Sequence, residues 1–127
     1  MYTLTKEFKF EASHVLKDHD GKCARLHGHS WKGRIILQGE NLVSCGPKTN
    51  MLVDFTDISR EVNPLVESYL DHHHLNSTLG CEAPTSEFVA KWVFTTLRNN
   101  CPSLRQYLKA VEIDETCTSS CRYEEPA

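Results

Sequence analysis

His27-Gly28-His29-Ser30-Trp31-Lys32-Gly33-Arg34-Ile35-Ile36-Leu37-Gln38 alternates in character with a period of two. His27, His29, Trp31, Gly33, Ile35 and Leu37 share one side of an extended chain, while Ser30, Lys32, Arg34 and Gln38 fall on the other, the pattern of a strand with one buried face. The N-terminal stretch repeats it. Tyr2, Leu4, Phe8, Phe10 and Ala12 occupy even positions, Lys6 apart, and Thr3, Thr5, Glu7, Lys9 and Glu11 the odd ones, so a second half-buried strand is expected, with His14 on its apolar register. In both strands histidines extend the core face.

Outward from these strands, residues 17–24 are polar and broken by Gly21, which reads as a loop. Gly39, Gly46, Pro47 and Asn50 mark a connection leading to a short apolar strand at Met51 to Phe55. Ile58, Val62, Leu65, Val66 and Tyr69 then recur at helical spacing, with Thr56 or Asp57 as N-cap and Pro64 expected to kink or divide the helix. A second helix is capped by Thr85 or Ser86, carries Glu87 in its first turn, presents Val89, Trp92, Val93, Thr96 and Leu97 on one face and ends by Pro102. A last strand covers Tyr107 to Thr116, with Glu115 on the same register as Val111 and Ile113, and a short edge strand follows through Tyr123.

The 127 residues fit one domain, 1–127, with no linker or repeat. Net charge is -3 and the Lys and Arg residues are scattered, which argues against a nucleic-acid or anionic-membrane surface and for a small-molecule partner. The N-terminus lacks the regions of a signal peptide, and no apolar run approaches the roughly 18 residues of a membrane span. A cytoplasmic protein is therefore expected, its 6 cysteines reduced.

Four groups of residues have chemistry to offer. His27 and His29, two apart on a strand, project together, and His14 on a neighbouring strand would complete a facial set of three imidazoles with an open fourth position, as catalytic zinc uses. The alternative is hydrogen-bonded histidines at the edge of the core. Cys23, beside Lys22 and Arg25, is either a thiolate acting as base or nucleophile or a fourth ligand closing a structural metal site. In Asp71-His72-His73-His74 a carboxylate adjoins imidazoles, which suits a general acid or base, although a solvated loop has the same composition. Glu115, at the end of a buried strand face, either meets a buried donor or ligand, such as a heterocycle presenting an amino group beside a ring N–H, or reaches solvent. Cys117 and Cys121, with three residues between them, do not match common zinc or redox pairs.

Taken together, His14, Cys23-Ala24-Arg25-Leu26-His27-Gly28-His29, Asp71-His72, Pro84-Thr85-Ser86-Glu87 and Glu115-Thr116-Cys117 resemble the 6-pyruvoyltetrahydropterin synthase family over nearly the whole chain. The three residues between Cys23 and His27 are similar to the bacterial 6-carboxytetrahydropterin synthase branch; pyruvoyl-forming members usually space these positions further apart. The resemblance implies an α+β tunnelling fold (T-fold): an antiparallel sheet with two helices on one face, trimers joined into a barrel, a homohexamer built as a dimer of trimers, and active sites between subunits. It implies Zn2+ on His14, His27 and His29, Cys23 as proton-abstracting thiolate, Asp71 and His72 as a second proton-transfer pair, and Glu115 with Thr85 and Ser86 on the pterin. The implied reaction converts a reduced pterin triphosphate, 7,8-dihydroneopterin triphosphate, to 6-carboxy-5,6,7,8-tetrahydropterin, acetaldehyde and triphosphate on the route to queuosine. Near alternatives are pyruvoyl-product formation and dihydroneopterin cleavage; a distant one is a non-enzymatic zinc-stabilised module. Asn50 stands where members often carry Gly, and Asn tolerates the positive φ such a turn requires.

Overall fold

The structure, a computed structural model, describes residues 1–126. Strand β1 (Tyr2–His14) lies antiparallel to β2 (His27–Gly39) in unbroken register, from Tyr2 opposite Gly39 to His14 opposite His27. Their apolar faces coincide, as both alternations require. At the middle of the pair Phe8 faces Gly33, and its ring lies across the glycine so closely that a Cβ there would sit 2.0 Å from Phe8 Cζ. Gly33 is thus the space the Phe8 ring fills.

Helix α1 (Phe55–Leu65) follows the long connection, then the two-residue strand β3 (His73–His74), short helices α2 (Leu75–Thr78) and α4 (Pro102–Arg105) flanking α3 (Ser86–Asn100), and strands β4 (Leu108–Thr116) and β5 (Ser119–Glu124). The sheet order is β3-β1-β2-β4-β5, antiparallel except where β3 runs alongside Ala12 and Ser13 of β1. Phe8, Phe10, Ala12, Trp31, Ile35, Leu37, Val111 and Ile113 on one sheet face join Ile58, Val62 and Leu65 of α1 and Val89, Val93 and Leu97 of α3 in a single buried cluster. Each fully buried large aliphatic side chain contributes about 1.5–3 kcal/mol, so this face holds the helices to the sheet.

Several expectations are corrected here. Met51 to Phe55 is not a strand. The amide of Asn50 donates to Val43 O at 2.8 Å, that of Met51 to Lys48 O at 3.0 Å and that of Val43 to Met51 O at 2.9 Å, so the segment's backbone closes on its own loop. Asn50 sits at φ 68, the turn conformation foreseen for it. Helix α1 is capped by Asp54, two residues earlier than Thr56: its carboxylate accepts from Thr56 N–H at 2.9 Å, and Lys48 bridges Asp54 and Asp57. Pro64 does divide the helix in character. Two residues beyond it the bonding widens to a π-helical turn, Val66–Leu70, in which Asp71 N–H donates to Val66 O at 2.8 Å. The extra residue per turn rotates Leu70 into the core, where it is fully buried, and leaves Tyr69, expected inside, exposed and packed on Trp92. On α3 the buried stripe includes Ala90 and Phe94, whereas Trp92 and Thr96 lie at its margin.

Candidate active site

The β1–β2 register places His14 directly opposite His27, and the pleat puts His29 on the same face. The ring centroids are 4.4 Å apart for His14 and His27, 5.2 Å for His14 and His29, and 4.9 Å for His27 and His29. Trp31 forms the floor, edge-on to His14 at 5.0 Å and to His29 at 5.6 Å, with its indole N–H donating to Ala12 O. Glu115 reaches the cluster from the end of β4, its Oε1 3.1 Å from His14 Nε2 and 3.3 Å from His29 Nε2.

One ligand atom from each of His14, His27, His29 and Glu115 lies within 4.8 Å of all the others. A tetrahedral zinc with nitrogen ligands at about 2.0–2.1 Å needs donors about 3.3 Å apart, so a modest contraction seats an ion. The outer ring nitrogens are already committed. His14 Nδ1–H donates to Pro84 O at 2.9 Å, and His27 Nδ1–H to Arg25 O at 2.6 Å, which leaves each Nε2 as the lone-pair side facing the cluster. His14 Nε2 and His29 Nε2 are buried with no hydrogen-bond partner, since neither contact with Glu115 has hydrogen-bond geometry. Burial lowers the His14 pKa, the Pro84 carbonyl opposes that, and neighbouring His27 lowers it further, a direction that favours the neutral form a ligand needs. These residues fit a metal ion.

Cys23 lies in a single 3-10 turn, Lys22–Ala24, half-buried, with its carbonyl accepting from Leu16 N–H at 2.7 Å. Its sulfur is outside the converging set, and the fourth group that reaches the imidazoles is Glu115. Of the two readings of Cys23, the fold does not assemble the closed cysteine–histidine site.

Asp71 and His72 do face each other. His72 Nδ1 lies 2.9 Å from Asp71 Oδ2, while Asp71 Oδ1 accepts from Glu11 N–H at 2.9 Å. That backbone bond, and then the His72 contact, hold the Asp71 pKa below the usual carboxylate range. His72 adopts φ 59, a conformation rare for a side chain other than Gly or Asn, and its own N–H donates to Glu11 O at 2.6 Å. Asp71 and His72 thus grip both backbone groups of Glu11, and the His72 ring projects into a cleft of about 670 Å³ shared with His29, Glu11, Ser13 and Ser30. The neighbouring histidines are not a solvated loop: His73 bonds to Glu67 O and His74 to Ser13 Oγ, each at 3.0 Å.

Thr85 caps α3 by accepting from Phe88 N–H at 3.2 Å, and Ser86 Oγ donates to Glu87. Both follow Pro84, so the cap and the carbonyl on His14 belong to one segment. Sequence reasoning missed the Pro84 carbonyl, which no residue type announces, and Trp31 and Glu11 as walls of the site. For Glu11 the available signal was an acidic residue three positions before His14 on the polar register.

The family model described as 6-pyruvoyl tetrahydropterin synthase matches residues 3–126. A Synechocystis sp. protein named 6-carboxy-5,6,7,8-tetrahydropterin synthase is 46% identical, over 99% of this chain and 95% of its own. A Pyrococcus furiosus protein named dihydroneopterin monophosphate aldolase is 30% identical over 73% of this chain and 72% of its own. The solved 6-pyruvoyl tetrahydropterin synthase of Caenorhabditis elegans superposes with a TM-score of 0.80 at 27% identity, covering 98% of this chain and 96% of that one, and so shares the antiparallel sheet with its helices on one face. With the family model matched from residue 3 to residue 126 and the fold in agreement, this chain belongs to the 6-pyruvoyl tetrahydropterin synthase family of enzymes.

Proposed function

We propose that this chain is a zinc-dependent carbon–carbon lyase converting 7,8-dihydroneopterin triphosphate to 6-carboxy-5,6,7,8-tetrahydropterin, acetaldehyde and triphosphate, in the cytoplasm and on the route to queuosine. The observation that carries it is the pair of buried, unpartnered nitrogens, His14 Nε2 and His29 Nε2, on a sheet end that shares its cleft with the Asp71–His72 pair. The 46%-identical relative named for that product supports the choice of reaction.

His14, His27 and His29 would hold the zinc. Bound zinc supplies Lewis acidity, acidifying hydroxyls of the substrate side chain and stabilising charge that develops on oxygen. Cys23, in the middle of its turn and free of the ligand set, takes a proton from the side chain as thiolate. Asp71 fixes the His72 tautomer with Nε2 outward, and His72 handles the second proton at the open side of the cleft. Glu115 anchors the pterin, its carboxylate accepting from a ring N–H and the neighbouring amino group, and Thr85 and Ser86, at the start of α3, add contacts to the same ring.

The assembly proposed is a homohexamer, a dimer of trimers. From Tyr2 to Glu11, β1 has no strand on its outer side among the described residues, and β5 ends the sheet at the other edge. Two open edges that do not match themselves suit head-to-tail closure into a ring. Light scattering on the eluted protein tests that part.

Product analysis tests the reaction. Zinc-loaded protein incubated anaerobically with 7,8-dihydroneopterin triphosphate should yield a carboxypterin and acetaldehyde in equal amounts by mass spectrometry. A pyruvoyl product would move the chain to the sister reaction. Release of a two-carbon aldehyde from dihydroneopterin monophosphate, with the triphosphate untouched, would favour the aldolase reading that the Pyrococcus relative raises.

A further inference from the structure

Asn76 lies outside every group discussed so far, yet its carboxamide makes three backbone hydrogen bonds. Oδ1 accepts from Val15 N–H at 2.9 Å, and Nδ2 donates to Val15 O at 2.8 Å and to Glu82 O at 3.3 Å. Only one orientation of the amide satisfies all three. The paired contacts to Val15 copy a β-bridge. Strand β3 pairs with Ala12 and Ser13 and then turns into α2 at Leu75, so the backbone can follow β1 no further, and the Asn76 side chain supplies the next bridge.

The two segments gathered by this amide are those that set the site. Val15 directly follows His14, fully buried. Glu82 lies two residues before Pro84, whose carbonyl fixes the His14 tautomer. Lys17 N–H also donates to Glu82 O, at 3.4 Å, and between Val15 and Lys17 the amide of Leu16 donates to the carbonyl of Cys23 at 2.7 Å.

We propose that Asn76 is a positioning residue that locks His14 and its Pro84 partner into metal-binding geometry and, through Val15–Lys17, fixes the turn that carries Cys23. This rests on reading His14, His27 and His29 as the metal site. An outer partner of a metal-bound histidine is worth about 10–100-fold in metal affinity, and Asn76 stands behind one such partner, the Pro84 carbonyl, while also holding the residue that follows His14.

The test is equilibrium zinc binding to the metal-free protein, read by competition with a chromophoric chelator, together with the rate of Cys23 alkylation by iodoacetamide, read by peptide mass. Asn76→Ala removes all three bonds. Asn76→Asp keeps the acceptor for Val15 N–H and sets oxygen against the two carbonyls. Both should bind zinc about 10–100-fold more weakly and alkylate Cys23 at a rate several-fold different from the wild type. Asp54→Ala, which deletes a comparable side-chain cap on α1, should leave both readouts unchanged even where it lowers stability. A folded Asn76 variant with wild-type zinc affinity overturns the proposal. Should neither variant fold, the wild type decides: zinc must slow hydrogen exchange at the Val15 amide, and unchanged exchange overturns it. Wild-type protein that binds no zinc at these histidines defeats the metal reading itself, an outcome distinct from intact binding that ignores Asn76.

Discussion

The two faces of the sheet treat polar groups in opposite ways. On the face turned away from the helices, Arg34 donates to Glu112 at 2.8 Å and to both oxygens of Asp114 at 2.9 and 2.7 Å, and Arg122 bridges Glu112 and Glu124. These contacts hold the Glu112 and Asp114 pKa values down, chiefly through hydrogen bonds from Arg34. On the helix-covered face, His14 and His29 keep buried nitrogens with no partner. An unsatisfied buried polar atom costs about 1–3 kcal/mol, so the paired face is finished as structure, and the histidine end is stable only by virtue of what surrounds it. Sites that bind are left incomplete by the fold, and a change on either face tests that distinction.

The largest effect is expected from His14→Leu. Zinc should be lost from the site, and turnover should fall by at least about a thousandfold, the several kcal/mol a metal contributes to charge stabilisation. Stability of the metal-free protein, from denaturant unfolding, should nevertheless change by no more than about 1 kcal/mol: the variant loses the bond to Pro84 and also removes an unpartnered nitrogen from the core. Retained zinc, or a loss of several kcal/mol in the metal-free state, would make His14 an ordinary core residue and collapse the contrast.

Cys23→Ala comes next. Turnover should drop by about 10²–10⁴-fold, the usual worth of a proton-transfer group, with zinc affinity within twofold of wild type because the sulfur stands outside the ligand set. Parallel loss of metal and activity would restore the structural-site reading.

On the finished face, Arg34→Leu takes both guanidinium contacts from Asp114 and leaves Glu112 to Arg122 alone, each carboxylate about three-quarters buried, and should cost about 2 kcal/mol of stability. Zinc affinity should not move. If it does, the two faces are coupled through the sheet and the separation drawn above fails.

The legible part of the fold was the part governed by alternation. Both long strands, their shared core face and the placement of His14, His27, His29 and Glu115 follow from side chains pointing to alternate sides of a pleat, a rule that does not depend on tertiary context. The Asp71–His72 pair was visible as composition, but adjacency alone does not make residues meet; the π-helical turn after Pro64 and the unusual φ of His72 do, and neither is written in a hydrophobic pattern. The strand expected at Met51 to Phe55 failed because a short, mostly apolar run does not say whether its amides will find a sheet or their own loop. Backbone carbonyls and an amide bridge, such as those of Pro84 and Asn76, carry no residue-type signal at all.

The smallest effect separates the two faces by pH. Burial lowers the His14 pKa below 6.5, so on acidification the unfolded chain takes up that proton first. Stability from this group is fully present above pH 6.5 and declines as pH falls toward the folded-state value. Glu112 and Asp114 have pKa values depressed from 4.5 and 3.8, so their contribution persists through that range and is lost only as pH falls below those values toward the folded-state ones. Unfolding of the metal-free protein followed from pH 7.5 to 3 should therefore show two descents. His27, His29 and Glu115 face the same ring and shape the first, so the His14→Leu variant serves as the reference: it should flatten the slope just below pH 6.5 and leave the acid limb intact, whereas Arg34→Leu should do the reverse. A His14→Leu profile identical to wild type above pH 5 would mean that the imidazole is as free to take a proton in the fold as in water, and the contrast between a finished face and a waiting one would have to be withdrawn.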